Sequence, residues 1–228
     1  MKRDIVPGTD YIIYQNEENF KYTTDSLILS SFSRLSGKCA DLGSGNGLLS
    51  FRLIDRSRVS SFINVEFNED SYKCSLKSVE ENGLSNKISS LNIDLRDIKK
   101  YIAHQSIDSV IMNPPYFSNS LESEVEAIRN ARHTDELEIF INASAHILKN
   151  SGKLYMVMTS SRLIDVVCML RDRGFEPKKL RFVKKDSNSR PKVVLIEAVK
   201  QGKSHLIVER DFLINSDELK RVYENKEI

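Results

Sequence analysis

Apolar residues fall into short runs separated by amphipathic stretches, and this alternation predicts a repeating strand and helix order. Strand-like runs occur at Gly37–Ala40, Phe62–Val65, Ile88–Ile93, Ser109–Asn113 and Lys153–Met158. Between them, helical spacing is expected over Leu48–Ile54, weakly over Ile98–His104, then over Glu136–Leu148 and Ser161–Arg173, with Gly152 and Gly174 as helix stops. Two last strands, Lys178–Lys184 and Lys192–Lys200, are joined by the polar stretch Lys185–Pro191, which has no room for a crossover helix, so they pair antiparallel. The pattern predicts an α/β domain with a mainly parallel sheet, helices on both faces and one antiparallel hairpin at the end. The tail Glu209–Ile228 has one apolar stretch, Phe212-Leu213-Ile214, and then turns polar and helix-permissive; it either packs on the domain or frays.

Polar chemistry collects at the strand ends. Asp41-Leu42-Gly43-Ser44-Gly45-Asn46-Gly47 puts three glycines in a strand-to-helix turn, where backbone can approach a ligand and the helix start offers free amides. The spacing is not the G-x-G-x-x-G of dinucleotide sites. A carboxylate at Asp41 repels a pyrophosphate and attracts a cation, and the turn resembles that of S-adenosylmethionine (SAM)-dependent methyltransferases. Glu66 ends the next strand nineteen residues past Gly47, where an acid can accept both ribose hydroxyls. Asp94 ends the third strand and can accept from an adenine amino group, with Asp97 as its rival.

Asn113-Pro114-Pro115-Tyr116 follows the apolar run Ser109–Met112. Two prolines fix φ and remove two donors, holding the Asn113 amide and the following carbonyl in one geometry. Such a clamp suits a planar amine, whose lone pair is delocalised into its ring. Two fixed acceptors hold the amine hydrogens while the lone pair turns toward an electrophile, and Tyr116 can stack on the base. The four residues are candidate catalytic groups; Phe117 would add stacking on the substrate base.

The chain's 228 residues, 40% hydrophobic and 29% charged, indicate an ordinary globular enzyme of one main domain. No apolar run approaches a spanning helix and the start lacks a secretory h-region, so a cytoplasmic location is expected. Cys39, Cys74 and Cys168 and the four histidines show no metal-ligand or disulfide spacing, and no metal is expected. Net charge is +2, yet Arg171–Lys203 holds eleven Lys and Arg against four Asp and Glu, a cluster suited to nucleic-acid phosphates. Lys184, Lys185, Arg190 and Lys192 in the hairpin, with Arg132 and His133 after the proline motif, are the candidate substrate contacts.

The whole chain resembles the bacterial tRNA1(Val) adenine N6-methyltransferases. The resemblance is carried by Gln15, Phe20-Lys21-Tyr22-Thr23-Thr24-Asp25, both core motifs, Ala131-Arg132-His133 and Val194-Leu195-Ile196-Glu197. It implies a Rossmann-like class I methyltransferase fold with a seven-stranded, mainly parallel sheet. It implies an N-terminal cap (1–36) over the cofactor, a SAM-binding core (37–200) and a C-terminal extension (201–228). It also implies that Phe20, Tyr22 and Asp25 close over SAM, although both aromatics equally fit a core. The expected partner is the anticodon stem-loop of tRNA, with no obligate protein partner indicated. Other N-P-P-Y enzymes fit less well. Protein glutamine methyltransferases resemble chains with an N-terminal helical domain, and DNA adenine enzymes use a separate recognition domain; ribosomal RNA guanine enzymes, which often carry N-P-P-F and a duplicated domain, stay open as an alternative. A non-catalytic SAM-sensing or RNA-binding module would keep the glycine turn and lose the clamp.

Overall fold

A computed structural model describes residues 1–16, 23–56, 58–115 and 136–228. The chain opens with a hairpin, β1 (Lys2–Ile5) and β2 (Ile12–Gln15), and helix α1 (Thr24–Phe32). There follow β3 (Gly37–Leu42), α2 (Leu48–Leu53), β4 (Val59–Glu66), α3 (Glu69–Glu81), β5 (Ile88–Asn92), a 3-10 turn over Leu95–Lys100 and β6 (Ile107–Met112). A helix over 136–147, α4, leads into β7 (Leu148–Thr159). Then come a 3-10 turn at Ser160–Arg162, α5 (Leu163–Asp172), β8 (Phe175–Lys184), β9 (Val193–Lys200), β10 (Ile207–Val208), β11 (Phe212–Leu213) and α6 (Asp217–Tyr223).

Seven long strands form the sheet in the order β8-β9-β7-β6-β3-β4-β5, all parallel except β9, which runs antiparallel to both β7 and β8. The loop between β8 and β9 therefore opens on the same edge as the C-terminal ends of β3, β4, β6 and β7. Alternate residues feed two cores. Cys39, Ile111, Tyr155, Val157 and Leu195 pack under α1 and α2, while Ala40, Val110, Met112, Leu154, Met156 and Ile196 pack under α4 and α5. Strands buried on both faces explain the continuous apolar runs.

One feature departs from the sequence expectation, and one that it left open is decided. Gly152 does not stop a helix: α4 ends at 147 and Gly152 lies inside β7. The β6 register jumps there, from Ile107 opposite Leu148 to Ser109 opposite Lys153, so residues 149–152 bulge out. A Cβ on Gly152 would lie 2.8 Å from the Lys149 carbonyl oxygen, which explains the glycine without any helix terminus. The tail, in turn, does not fray. Strands β10 and β11 add to the free edge of β8, and Phe212 and Val222 are fully buried. The opening hairpin packs on α3, where Asn82 Oδ1 accepts from Ile12 N, Asn82 Nδ2 donates to Ile12 O, and Ser78 Oγ accepts from Tyr14 N. Among the described residues of 1–36, the first turn of α1 reaches the strand C-terminal ends, where Ser26 meets Asn113.

Arg52, 2% exposed, ties these layers together. Its guanidinium donates to Ser30 Oγ of α1, to the Pro7 carbonyl behind the hairpin and to the Val222 carbonyl of α6, and its own carbonyl accepts from Asn225. Removing a buried cation strands three acceptors, so Arg52→Ala should cost about 2–4 kcal/mol. Denaturant unfolding should show a lower midpoint with an unchanged slope; a loss under about 1 kcal/mol would mean that apolar packing alone holds the tail.

Candidate active site

The sheet has its switch point between β3 and β6. From β3 the chain moves outward through β4 to β5, then returns to the other side of β3 for β6 and β7. The crossovers diverge to opposite faces there and leave a crevice beyond the strand ends. Both sequence motifs meet at it: Asp41–Gly47 leaves β3, and Asn113-Pro114-Pro115 leaves β6.

Asp41 sits within β3 between Asn64 of β4 and Ile111 of β6. Its side chain is fully buried, and neither oxygen has a hydrogen-bond partner among the described residues. Burial drives the carboxyl well above the usual carboxylate range, and the neighbouring negative charge of Glu66 adds to the shift. The turn is pinned from β4: Gly43 N and Ser44 N donate to the Val65 carbonyl at 2.9 and 3.0 Å. Glu66 Oε2 accepts from Gly45 N at 2.7 Å, and its Oε1 accepts from Asn68 N at 2.7 Å. Gly47, at φ +88°, caps α2 in the left-handed region; a Cβ there would lie 2.9 Å from Asn64 Nδ2. Gly45, at φ +55°, faces open space, with nothing within 4 Å of where a Cβ would stand, whereas Gly43 lies against Phe140 of α4.

Across the crevice, Asn113 Nδ2 donates to Ser26 Oγ in the first turn of α1 at 2.8 Å. This turns its Oδ1 away, buried and without a partner among the described residues. Pro114 is buried and Pro115 exposed. Asp25 lies in the same turn of α1. Asp94 lies just past β5, where it caps the 3-10 turn by accepting from Arg96 N at 2.8 Å; the Arg96 guanidinium holds its carboxyl below the usual range. Asp97 is exposed and paired with Lys100 at 2.7 Å. Phe20, Tyr22, Tyr116, Phe117, Arg132 and His133 lie outside the described residues.

Among the described residues, six of the eleven buried polar side-chain atoms without a partner belong to Asp41, Ser44, Asn46, Asn64 and Asn113, all along this crevice. A buried unsatisfied group costs about 1–3 kcal/mol, so a concentration of them marks where a polar ligand or ordered water completes the structure. The set fits SAM: a buried carboxylate for a cation, an open glycine where a ligand can approach the turn backbone, and an acid at the β4 end for a ribose. Three residues were missed by reading the sequence. Ser26 carries no sequence signal, and Asn92 braces the Glu66 and Phe67 carbonyls at 2.8 and 2.9 Å. Phe67, 72% exposed directly after Glu66, could have been found as an aromatic at an acidic strand end.

The sheet order, the glycine turn and the proline clamp define a methyltransferase of the class I fold. The chain matches the model of the methyltransferase small domain over residues 22–171, and it belongs to that family. It is 23% identical over 210 residues to the tRNA1(Val) (adenine(37)-N6)-methyltransferase of Parabacteroides distasonis, covering 87% of each chain. To the enzyme of the same name from Photobacterium profundum it is 24% identical over 181 residues, covering 77% of this chain and 75% of the relative. Among solved structures, a predicted O-methyltransferase from Agrobacterium tumefaciens aligns with TM-score 0.71 at 16% identity, over 89% of this chain and 97% of that one. TYW2 of M. jannaschii in complex with AdoMet aligns with TM-score 0.61 at 14% identity, over 86% and 85%. No helix among the described residues is long and apolar enough to cross a membrane.

The Asp41 environment sets a pH dependence. With its folded pKa raised, the folded ligand-free state holds a proton that the unfolded chain releases, so stability is greatest below the ordinary carboxylate range and falls as pH rises above it. Asp41→Asn should flatten that fall and raise the ligand-free unfolding midpoint at neutral pH, while weakening SAM binding about tenfold or more. Thermal unfolding across pH with and without SAM checks both; a variant that loses stability at neutral pH would show that Asp41 is satisfied in the fold.

Proposed function

We propose that the protein methylates N6 of an unpaired adenosine in tRNA, namely adenosine 37 of tRNA1(Val), using SAM as donor. The observation that carries this reading is the Asn113 amide oxygen, buried and without a partner among the described residues, held at the β6 end across the crevice from the Asp41–Gly47 turn. Relatives bearing that name in several organisms, at 23–32% identity, support the substrate.

SAM supplies a methyl group already activated on a cationic sulfur. Asp41 offers it a counter-charge, and the Gly45 amide region gives its backbone close approach. Glu66 retains lone pairs for ribose hydroxyls beyond the two amides it binds. Phe67 presents a ring face to an adenine, and Asp94 stands at the next strand end to accept from the adenine amine once Arg96, itself largely exposed, swings away. On the acceptor side, Asn113 Oδ1 and the Pro114 carbonyl accept the two hydrogens of the target amine. Holding them off the ring plane frees the nitrogen lone pair; the N–C bond forms as the S–C bond breaks, and the surplus amine proton leaves to water. An anticodon-loop base is unpaired, so it reaches the clamp at little cost, with Tyr116 and Phe117 assigned to stacking. A tRNA substrate fits a cytoplasmic enzyme.

Transfer of labelled methyl from SAM to unmodified tRNA(Val), with protein, DNA and ribosomal RNA in parallel, should yield N6-methyladenosine in the tRNA alone. Label in guanine or glutamine would discard the substrate and retain the methyltransferase. Asn113→Ala should lower kcat by about 10²–10³-fold with SAM affinity nearly unchanged. Ser26→Ala should lower kcat several-fold, again without moving SAM affinity or the unfolding midpoint, and Ser26→Thr should restore it; equal losses in SAM affinity would assign Ser26 to cofactor binding instead.

A further inference from the structure

The basic cluster of Arg171–Lys203 is divided by the tail. Lys179 pairs with Glu209 at 3.2 Å, Lys184 with Asp211 at 2.7 Å, and Arg181 with both oxygens of Glu218 at 2.7 and 2.8 Å. Arg181 also donates to the Arg210 carbonyl and lies 5.4 Å from the ring centroid of buried Phe212. Elsewhere in the cluster, Arg171 pairs with Glu176, and Lys200 donates to the Ala145 and Leu148 carbonyls. Lys185, Arg190 and Lys192 are different: they are exposed and form no salt bridge among the described residues. All three lie on the β8–β9 loop, which opens on the edge that carries Asn113.

That loop is braced on both arms. On the β8 side the tail backbone bonds as far as the loop's first residue, with Ile214 N donating to the Lys184 carbonyl at 2.9 Å and Asn215 N to the Lys185 carbonyl at 3.0 Å. On the β9 side Ser160 N donates to the Lys192 carbonyl at 3.0 Å, and Ser160 Oγ to the Pro191 carbonyl at 2.6 Å. The one acid of the loop, Asp186, is engaged in shaping it, accepting from Asn188 N and Ser189 Oγ. A braced loop presents its cations at fixed positions, which lowers the ordering cost of binding an anionic partner.

We propose that the C-terminal tail sorts the cations of this edge. Its acids neutralise Lys179, Arg181 and Lys184, its backbone braces the loop, and Lys185, Arg190 and Lys192 are left as a fixed fork for phosphates of the RNA whose base enters the Asn113 clamp. The inference rests on the tRNA reading. It differs from the sequence expectation in taking Lys184 out of the substrate contacts.

The test measures binding of a labelled tRNA(Val) anticodon stem-loop to the full chain across a salt series, with SAM binding and methyl transfer recorded for every variant. Each of Lys185→Ala, Arg190→Ala and Lys192→Ala should weaken binding several-fold at low salt and make the slope of log K against log salt shallower by about 0.7–0.9. Lys179→Ala should leave the slope unchanged. Glu209→Gln with Asp211→Asn, by releasing two cations, should steepen it; Glu209→Gln alone serves where the double variant binds SAM poorly. Equal loss of slope in Lys179→Ala and the loop variants, or methylated RNA whose slope ignores the three loop cations, overturns the sorting and leaves the tRNA reading standing. A chain that binds SAM yet neither binds nor methylates the RNA overturns the tRNA reading and this inference with it.

Discussion

The position of β3 inside the sheet, between β6 and β4, is the constraint from which the site follows. A parallel strand must be reached by a crossover, and crossovers keep one hand, so a chain that builds outward from β3 in one direction and then in the other sends its connections to opposite faces. The gap cannot be closed by a hairpin, because β3 and β6 are parallel neighbours with no direct link. Whatever the chain places after Leu42 and after Met112 must face that gap. The glycine turn and the proline clamp occupy those two positions, one built to let backbone approach a ligand and the other to hold an amide rigid.

The gap is also where the fold is electrostatically incomplete. Asp41 lies buried without a donor among the described residues, beside a second carboxylate, Glu66, which is committed to two backbone amides. An isolated protein gains nothing from that arrangement, since a buried carboxylate must either give up its charge or find a partner. A cationic ligand reverses the balance, because the same low-dielectric surroundings that penalise the lone charge strengthen its attraction to an opposite one. Asn113 follows the same logic in neutral form: its Nδ2 donates to Ser26, and its oxygen is left buried without a partner among the described residues.

Much of this was legible because the informative residues sit at strand ends, and strand ends follow from apolar runs. Asp41, Glu66 and Asn113 fall within a residue of the expected boundaries. What stayed illegible depends on contacts far apart in sequence or on elements too short to have a period. Strands β10 and β11 are two residues each, and nothing in Ile207-Val208 or Phe212-Leu213 announces the edge they extend. Lys184 and Lys185 look alike in the chain, yet one meets Asp211 and the other meets no acid among the described residues. Gly152 read as a helix stop because a glycine after an amphipathic run is usually one, while the bulge that requires it is visible only once β6 sets the register. Ser26 is an unremarkable serine until the helix start is laid against the end of β6.

The two sides of the molecule divide the work of stability and function. On the crevice side, unsatisfied buried groups and left-handed glycines cost stability that a ligand restores. On the other, Arg52 closes α1, α2, α6 and the opening loop around one buried guanidinium whose partners include two backbone carbonyls and a serine. Such a cation is costly to bury and very costly to abandon, so it favours a single arrangement of those segments over any looser one. Because α1 carries both Ser30, which accepts from Arg52, and Ser26, which fixes Asn113, the anchoring of the tail and the aim of the clamp run through the same helix. A nine-residue helix is too short to hold itself straight in water, so its position has to come from what packs around it.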